Sequence, residues 1–345
     1  VSAGSAWPGT SATQRMLRPS ARANPAQGFR SGREGLVGPV IASITGPVVG
    51  REVGSLLKLL SLRSLCFFLL AAPALASDGI AEINQACAVS TGCFSGDPPG
   101  FPVSIVEPGS YRLTGNLVND DPTGVILILS SYVTLDLAGH EVSGPITCAG
   151  TPPGCTGSAL GFGISVDFPY RARHHVVVRN GTVRGLPEAV TLGERATVED
   201  VHVDDINGSG IKVESFSTVQ RSTVVSTNLV GIQRANVGRA TDNIVLCTGG
   251  NGLYCGDGCV VTGNAVSETG QVGIWAGKAA QIEGNSVTLI RGQGILAGPG
   301  AVIKDNSVVD NTSFGVRAGA GTLITGNTIR GNSSGALGCP SAGLG

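Results

Sequence analysis

Charge is what this sequence has least of. Asp, Glu, Lys and Arg make up 14% of its 345 residues, against roughly 25% in an ordinary globular domain. The net charge of −1 leaves no electrostatic footprint for a nucleic acid or an anionic membrane, so both are excluded as primary partners. Aromatics are 4%, and there are one Met and two Trp. Long apolar runs are nearly absent. The one that exists, Leu65 to Leu75, is too short to span a bilayer. What the chain does have is glycine, 53 residues of it, within an apolar content of 41%. That content is too high for disorder, so the composition describes a folded chain built on turns.

The short apolar run has a different use. Lys58 and Arg63 precede it, and it ends in Ala74-Leu75-Ala76, the A-x-A form of a signal-peptidase site. A signal peptide is expected over 53–76, cleaved after Ala76, giving a secreted, periplasmic or cell-surface protein. Residues 1–52, rich in Arg, Ser, Pro and Gly, are expected to be untranslated or disordered, with initiation near Val53.

Cys66 leaves with that signal, and eight cysteines remain: Cys87, Cys93, Cys148, Cys155, Cys247, Cys255, Cys259 and Cys339. An even number in an exported chain reads as disulfides. Cys87/Cys93 and Cys148/Cys155 are the natural short-loop pairs, and the other four cannot be paired from spacing. The histidines (His140, His174, His175 and His202) fall outside these cysteine spacings, which disfavours a zinc site. No metal or other cofactor is indicated.

The chain repeats itself every 21 residues. One column reads Val190, Ile211, Ile232, Leu253, Ile274, Ile295, Val316 and Leu337. A second runs from Val203 through Val224 and Val245 to Ile329, and a third from Val198 through Val219 and Ala240 to Ile324. All are apolar and mostly β-branched, with neighbours of alternating polarity, the signature of strands with one buried face. Three strands per row, each stacked on its own copy, predict an all-β fold: a single-stranded parallel β-solenoid of about nine to ten coils with a 21-residue period. At about 4.8 Å per coil the rod would be roughly 45 Å long. Gly210, Gly231, Gly252, Gly273, Gly294 and Gly315 mark one corner, where the chain needs either a positive φ or a close backbone approach. Asn243, Asn264, Asn285, Asn306 and Asn327 mark another, and are read as a stacked amide ladder. Residues 77–115 are expected to cover the N-terminal edge and 116–345 to form the solenoid. The last coil stops inside "ALGCPSAGLG", which points to a fragment or to self-association through an open end.

"SYRLTGNL" (110–117), "VTLDLAGHEVSG" (133–144) and "HHVVVRNGTVRG" (174–185) resemble the right-handed parallel β-helix repeat proteins of bacteria, in the broad pectate-lyase-like superfamily. The resemblance covers nearly all of 105–339. It implies right-handed coiling, and it leaves chemistry open because the fold hosts lyases, hydrolases, epimerases and adhesins. Polygalacturonase-like enzymes carry N-x-D, D-D, G-H-G and R-x-K in successive coils. Here Asp204-Asp205 and Lys212 are present, but no G-H-G follows, and Gly139-His140 lies coils earlier. The acidic set Asp200, Asp204 and Asp205 falls within one coil, unlike the calcium-binding carboxylates of pectate lyases. The D-P-H-D of mannuronan epimerases is absent.

Two sets of residues carry what chemistry the sequence suggests. The position after each corner "G-I" forms an outward column: Thr191, Lys212, Gln233, Tyr254, Trp275, Leu296 and Arg317. Lys212, Gln233, Tyr254, Trp275 and Arg317 are the expected ligand-binding residues, with a polysaccharide as partner, since aromatic rings stack on the apolar side of a sugar. Asp204, Asp205 and Lys212 are the catalytic candidates for a lyase or hydrolase of uronate-type polymers, because paired carboxylates divide acid and base roles. Adjacent strand residues point to opposite faces, so the two aspartates converge only on a turn. Asp136, His140 and Glu141 read as structural, His174-His175 as a long turn. "NDDPTG" (119–124) is a turn first and a calcium loop second. A structural or adhesive surface protein is the third functional class.

Overall fold

The computed structural model describes residues 79–121, 123–157, 160–167, 173–333 and 337–338. The segments expected within 1–76 lie outside these residues, as does Cys339. Short strands dominate because the chain changes direction every five residues around much of each coil. Left-handed φ values between +47° and +62° recur at Arg195, Asp200 and Asp205, then at Phe216, Arg221 and Ser226, then at Val237, Asp242 and Cys247. An L-residue in that conformation costs about 1–2 kcal/mol. Backbone hydrogen bonds to the next coil offset the cost: the N–H of Arg195 donates to Ser215 O (3.0 Å), Phe216 to Asn236 O (3.2 Å) and Val237 to Asp257 O (2.9 Å).

Between these bends lie three faces. Face 1 is an 11-stranded sheet that includes Ile211–Val213, Ile232–Arg234, Leu253–Cys255, Ile274–Ala276 and Ile295–Ala297. Face 2 carries strands such as Thr218–Gln220, and face 3 strands such as Thr223–Thr227. Both belong to one 19-stranded sheet, because Val177–Leu186 and Thr197–Ile206 run through the bend between them. Pairing is parallel and steps by one period: Ile211 opposes Ile232, Val219 opposes Ala240, and Val224 opposes Val245. The eleven strands of face 1 amount to about ten coils. The three apolar columns fill the interior. Ile211, Ile232, Leu253, Ile274 and Ile295 are at most 1% exposed, each burial contributing roughly 1.5–3 kcal/mol before entropy is counted.

The corner glycines resolve to close approach. None of Gly210, Gly231, Gly252, Gly273 and Gly294 has a positive φ. A Cβ on Gly273 would lie 2.6 Å from Gly294 O and 2.5 Å from a Val287 methyl, so there is no room for one. The asparagine column is a buried ladder. Nδ2 of Asn243, Asn264, Asn285 and Asn306 each donates to Oδ1 of the next Asn at 2.9 Å. Each Oδ1 also accepts the backbone N–H of the Asn before it, at 2.9–3.0 Å. The left-handed residue at this bend is the one preceding the Asn, such as Asp242, Gly263 or Gly284.

Disulfides join Cys87 to Cys93 and Cys148 to Cys155, the two pairs expected, and also Cys255 to Cys259. Cys247 is a free thiol. Near the start, Asn84 caps a short helix, Gln85–Ser90, whose Ala88 is buried in the core. Among the inward strand positions described, one carries a charge. Arg234, in line with Val213 and Cys255, is 1% exposed. Its Nη1 donates to Ser217 O (3.0 Å), its Nη2 lies 3.2 Å from Cys255 Sγ, and its Nε has no partner. Burial pushes the guanidinium pKa down to about 10.

Candidate functional site

On face 1 the first and third residues of each short strand turn inward and the middle one outward. The register therefore lines up Lys212, Gln233, Tyr254, Trp275, Leu296 and Arg317 on adjacent coils. Arg317 is exposed and the other five are half-buried, while Thr191, one coil earlier, is buried. The rings of Tyr254 and Trp275 are parallel within 5°, with centroids 4.4 Å apart. Each ring spends one face on the other, so the pair stands up from the sheet as a wall.

The outer faces of that wall open onto two depressions. The one on the Tyr254 side is lined by Lys212, Glu214, Gln233, Arg234, Asn236 and Tyr254, among others. The one on the Trp275 side is lined by Trp275, Leu296, Ala297, Pro299, Asp257 and Lys278. Each combines one aromatic face with a polar rim, an arrangement suited to a flat amphipathic ligand. Glu214, Asn236, Asp257 and Lys278 escape a column reading because they stand on turns, where period-21 matching sees unlike residues.

Lys212 has a carboxylate neighbour that sequence reasoning missed. Glu188, in the turn before face 1, accepts the Ser209 N–H at Oε2 (3.3 Å). Burial raises its pKa, and the Ser209 N–H and the Lys212 charge offset part of that rise. Asp204 and Asp205 end the long strand Thr197–Ile206 on face 3, whereas Lys212 is on face 1. The left-handed φ of Asp205 (+54°) interrupts strand alternation, and both aspartates are half-buried.

Asp205 is already engaged. Its Oδ1 accepts the Cys148 N–H (3.1 Å), its Oδ2 lies 3.6 Å from Arg184 Nη2, and its own N–H donates to Asp204 Oδ1 (2.8 Å). Cys148 belongs to an antiparallel hairpin, Thr147–Ala149 with Gly154–Thr156, closed by the Cys148–Cys155 disulfide. The tip of this hairpin receives a hydrogen bond from Arg291 Nη2 at Thr151 O. The hairpin is therefore a strap, anchored at its base by Asp205 and at its tip four coils further on.

The remaining acidic and imidazole groups are held in local contacts. Asp200 forms a two-point pair with Arg221 (2.8 and 3.0 Å), and this pair lowers the Asp200 pKa. Asp136 accepts the Ala138 N–H (2.9 Å) and an Asn180 amide N–H (3.2 Å) and faces Arg179 (3.3 Å). Burial raises its pKa, and these partners outweigh burial to give a net lowering. Asn119 Nδ2 donates to Thr123 Oγ1 (2.9 Å) and its Oδ1 accepts the Asp121 N–H (3.1 Å), closing a turn. His174 and His175 bring their Nδ1 atoms to 2.9 Å in the turn facing Tyr132. Among the described residues no three His, Cys, Asp or Glu side chains converge, and no helix is long and apolar enough to cross a membrane.

Residues 189–339 match the family model of the right-handed β-helix region. No curated protein matches the chain. Among solved structures, the Dettilon tailspike protein (gp208) aligns at 12% identity and a TM-score of 0.41, over 70% of this chain and 59% of that one. The chain thus spans less than two thirds of that protein. Tailspike protein 2 of bacteriophage CBA120, in its enzymatically active domain, aligns at 13% identity and a TM-score of 0.41, over 69% of this chain and 40% of that one. The A-module of the Azotobacter vinelandii mannuronan C-5 epimerase AlgE4 aligns at 14% identity and a TM-score of 0.38, over 77% and 93%.

Proposed function

We propose that face 1 of this parallel β-solenoid binds a polysaccharide, which straddles the Tyr254–Trp275 wall with one sugar ring in each depression. The wall itself carries this reading. Single exposed aromatics are common and need no explanation. Two rings from different coils, stacked at 4.4 Å with an open depression beyond each outer face, form a surface that takes rings on both sides. A polymer suits it better than a small metabolite, because the site is long and shallow and its polar rims are spread along the axis. Lys212, Gln233 and Asn236 serve one rim and Asp257 and Lys278 the other, and Arg317 continues the column beyond Leu296. An exported protein fits both the three disulfides and a polymer as ligand.

Affinity electrophoresis through gels containing neutral or uronate polysaccharides tests this. Trp275→Ala is expected to weaken retention about tenfold, with circular dichroism unchanged. Retention equal to the parent protein in every gel that retards it removes the reading.

Catalysis on the same polymers is the second reading, and one observation favours it: Lys212 lines the Tyr254 depression beside the raised carboxyl of Glu188. The roles first assigned to Asp204, Asp205 and Lys212 are tested by following unsaturated product in the ultraviolet together with reducing-end release. If an activity is found and Asp205→Ala leaves it intact, that carboxylate is not part of the reaction.

A further inference from the structure

The bend between faces 1 and 2 carries side chains that its geometry does not favour. Its left-handed position is Tyr132 (φ +59°), His175 (+56°), Arg195 (+54°), Phe216 (+62°) and Val237 (+48°) in successive coils, then Gly258, Ala279, Gly300 and Gly321. Glycine meets the requirement without penalty, while aromatic and β-branched residues there are true outliers. The five bulky side chains are also exposed: Tyr132 to 61%, Phe216 to 55% and Val237 to 47%, with His175 and Arg195 exposed too. They add no core packing, and what sets this bend apart from the others is the run of flat and bulky groups it presents to solvent.

The bend builds a ladder of flat groups. Tyr132 and His175 stack within 8° at 4.9 Å, and the Arg195 guanidinium lies 5.6 Å from the Phe216 ring centroid. At Gly258 the ladder stops, one coil beyond Val237. Phe216, Val237, Gly258, Ser217, Thr218 and Arg239 help line a depression there, in which Arg239 is the one charged residue. Arg239 has no ion-pair or side-chain hydrogen-bond partner among the described residues, and Arg195 has only the Phe216 ring.

We propose that this blank rung is a second binding site, independent of the wall on face 1, for a flat anionic ring of the aromatic carboxylate class. The ring continues the stack past Phe216 and Val237, and its carboxylate meets Arg239. Charge complementarity selects an anion, since the lining holds a cation and no carboxylate. Coil spacing selects flatness, because successive rungs are only about 4.8 Å apart, which admits a planar ring more readily than a puckered sugar.

Isothermal titration calorimetry with benzoate and 4-hydroxycinnamate tests the site, with benzyl alcohol and galacturonate as comparators. Saturable one-to-one binding of the aromatic carboxylates is expected, weakened about tenfold by Arg239→Gln. Val237→Gly is expected to weaken binding while raising the melting temperature, because it removes the side chain on which the ring rests and glycine relieves the bend; a structural role for Val237 would lower it instead. No aromatic carboxylate binding up to about 10 mM overturns the proposal. So does benzyl alcohol binding as well as benzoate, galacturonate binding in its place, or affinity unaffected by Arg239→Gln, whose exposed position leaves the fold intact.

Discussion

The two halves of the solenoid make the same bends with different residues. From the coil of Gly258 onward, the bend between faces 1 and 2 uses Gly258, Ala279, Gly300 and Gly321, and the next uses Gly263, Gly284, Asp305 and Gly326. In the preceding coils the same positions hold Arg195, Phe216 and Val237, and Asp200, Arg221 and Asp242, in the same left-handed region, at +47° to +62° against +52° to +70°. The backbone at a bend is therefore set by the hydrogen bonds between coils and not by the residue occupying it. At these two bends the later half mostly follows intrinsic preference, with glycine at six of the eight positions. The earlier half departs from it and carries the additions: the disulfide strap, the ladder of flat groups and the buried Arg234. The Tyr254–Trp275 wall stands at the junction of the two, in the coils of Gly258 and Ala279.

If the later half owes its regularity to exact stacking, disturbing the stack there should cost most. Gly273→Ala forces a methyl to within 2.6 Å of Gly294 O, and backbone cannot yield as a side chain can. A loss of about 3 kcal/mol is expected in urea unfolding. Asn285→Ala follows closely. It removes donations to Val261 O, Glu283 O and Asn306 Oδ1, and it strips Asn264 of an acceptor for both its N–H and its side-chain amide. With those groups buried, about 2–3 kcal/mol should be lost. A loss near zero in either variant would mean that the coils re-space freely and that the contrast between halves is one of composition alone.

Arg234 tests the earlier half in the opposite direction, because there a substitution should help. Its guanidinium is buried without a carboxylate, and its folded pKa of about 10 lies below the usual arginine value. Between those two values the unfolded chain holds a proton that the folded chain has released, so stability should rise with pH from about 10 upward. At lower pH both states carry the charge, and the folded one bears its desolvation. Arg234→Met keeps the volume and removes the charge, and is expected to be neutral or stabilising by about 1–2 kcal/mol. It should also flatten the alkaline rise, as thermal unfolding between pH 8 and about 11 would show. A clear loss of stability would instead make the Ser217 carbonyl bond the dominant role of this residue.

How much of this was legible in the sequence depends on whether a feature repeats. Apolar columns, corner glycines and the asparagine ladder repeat the same residue every 21 positions, so the solenoid and its period could be read directly. The outward column on face 1 came with them, because strand alternation fixes the direction of Lys212, Gln233, Tyr254 and Trp275 once the register is known. The stacking of the two rings on each other did not, since it depends on side-chain torsions. The left-handed bends were hidden because Phe216, Val237 and Cys247 are residues that ordinarily argue against that conformation. The strap was invisible as a strap: the Cys148–Cys155 spacing gives a loop, but only the fold brings Asp205 and Arg291 to its two ends.

The finest test of the comparison exchanges preferences at a single bend type. Gly284 has φ +65° with nothing within 4 Å of where a Cβ would sit, so Gly284→Ala introduces no clash and measures the conformational term alone. Leu289, five residues on, has φ +55° and is 52% exposed, so Leu289→Gly removes little packing. The first should destabilise by about 1 kcal/mol. The second should stabilise by about 0.5 kcal/mol, the relief of the bend less the added freedom of glycine in the unfolded chain. Opposite signs in thermal unfolding would establish that bend residues are chosen against a fixed backbone. Equal signs would mean that Leu289 makes a contact worth its strain, and the cost of a bend could then no longer be read from the residue that occupies it.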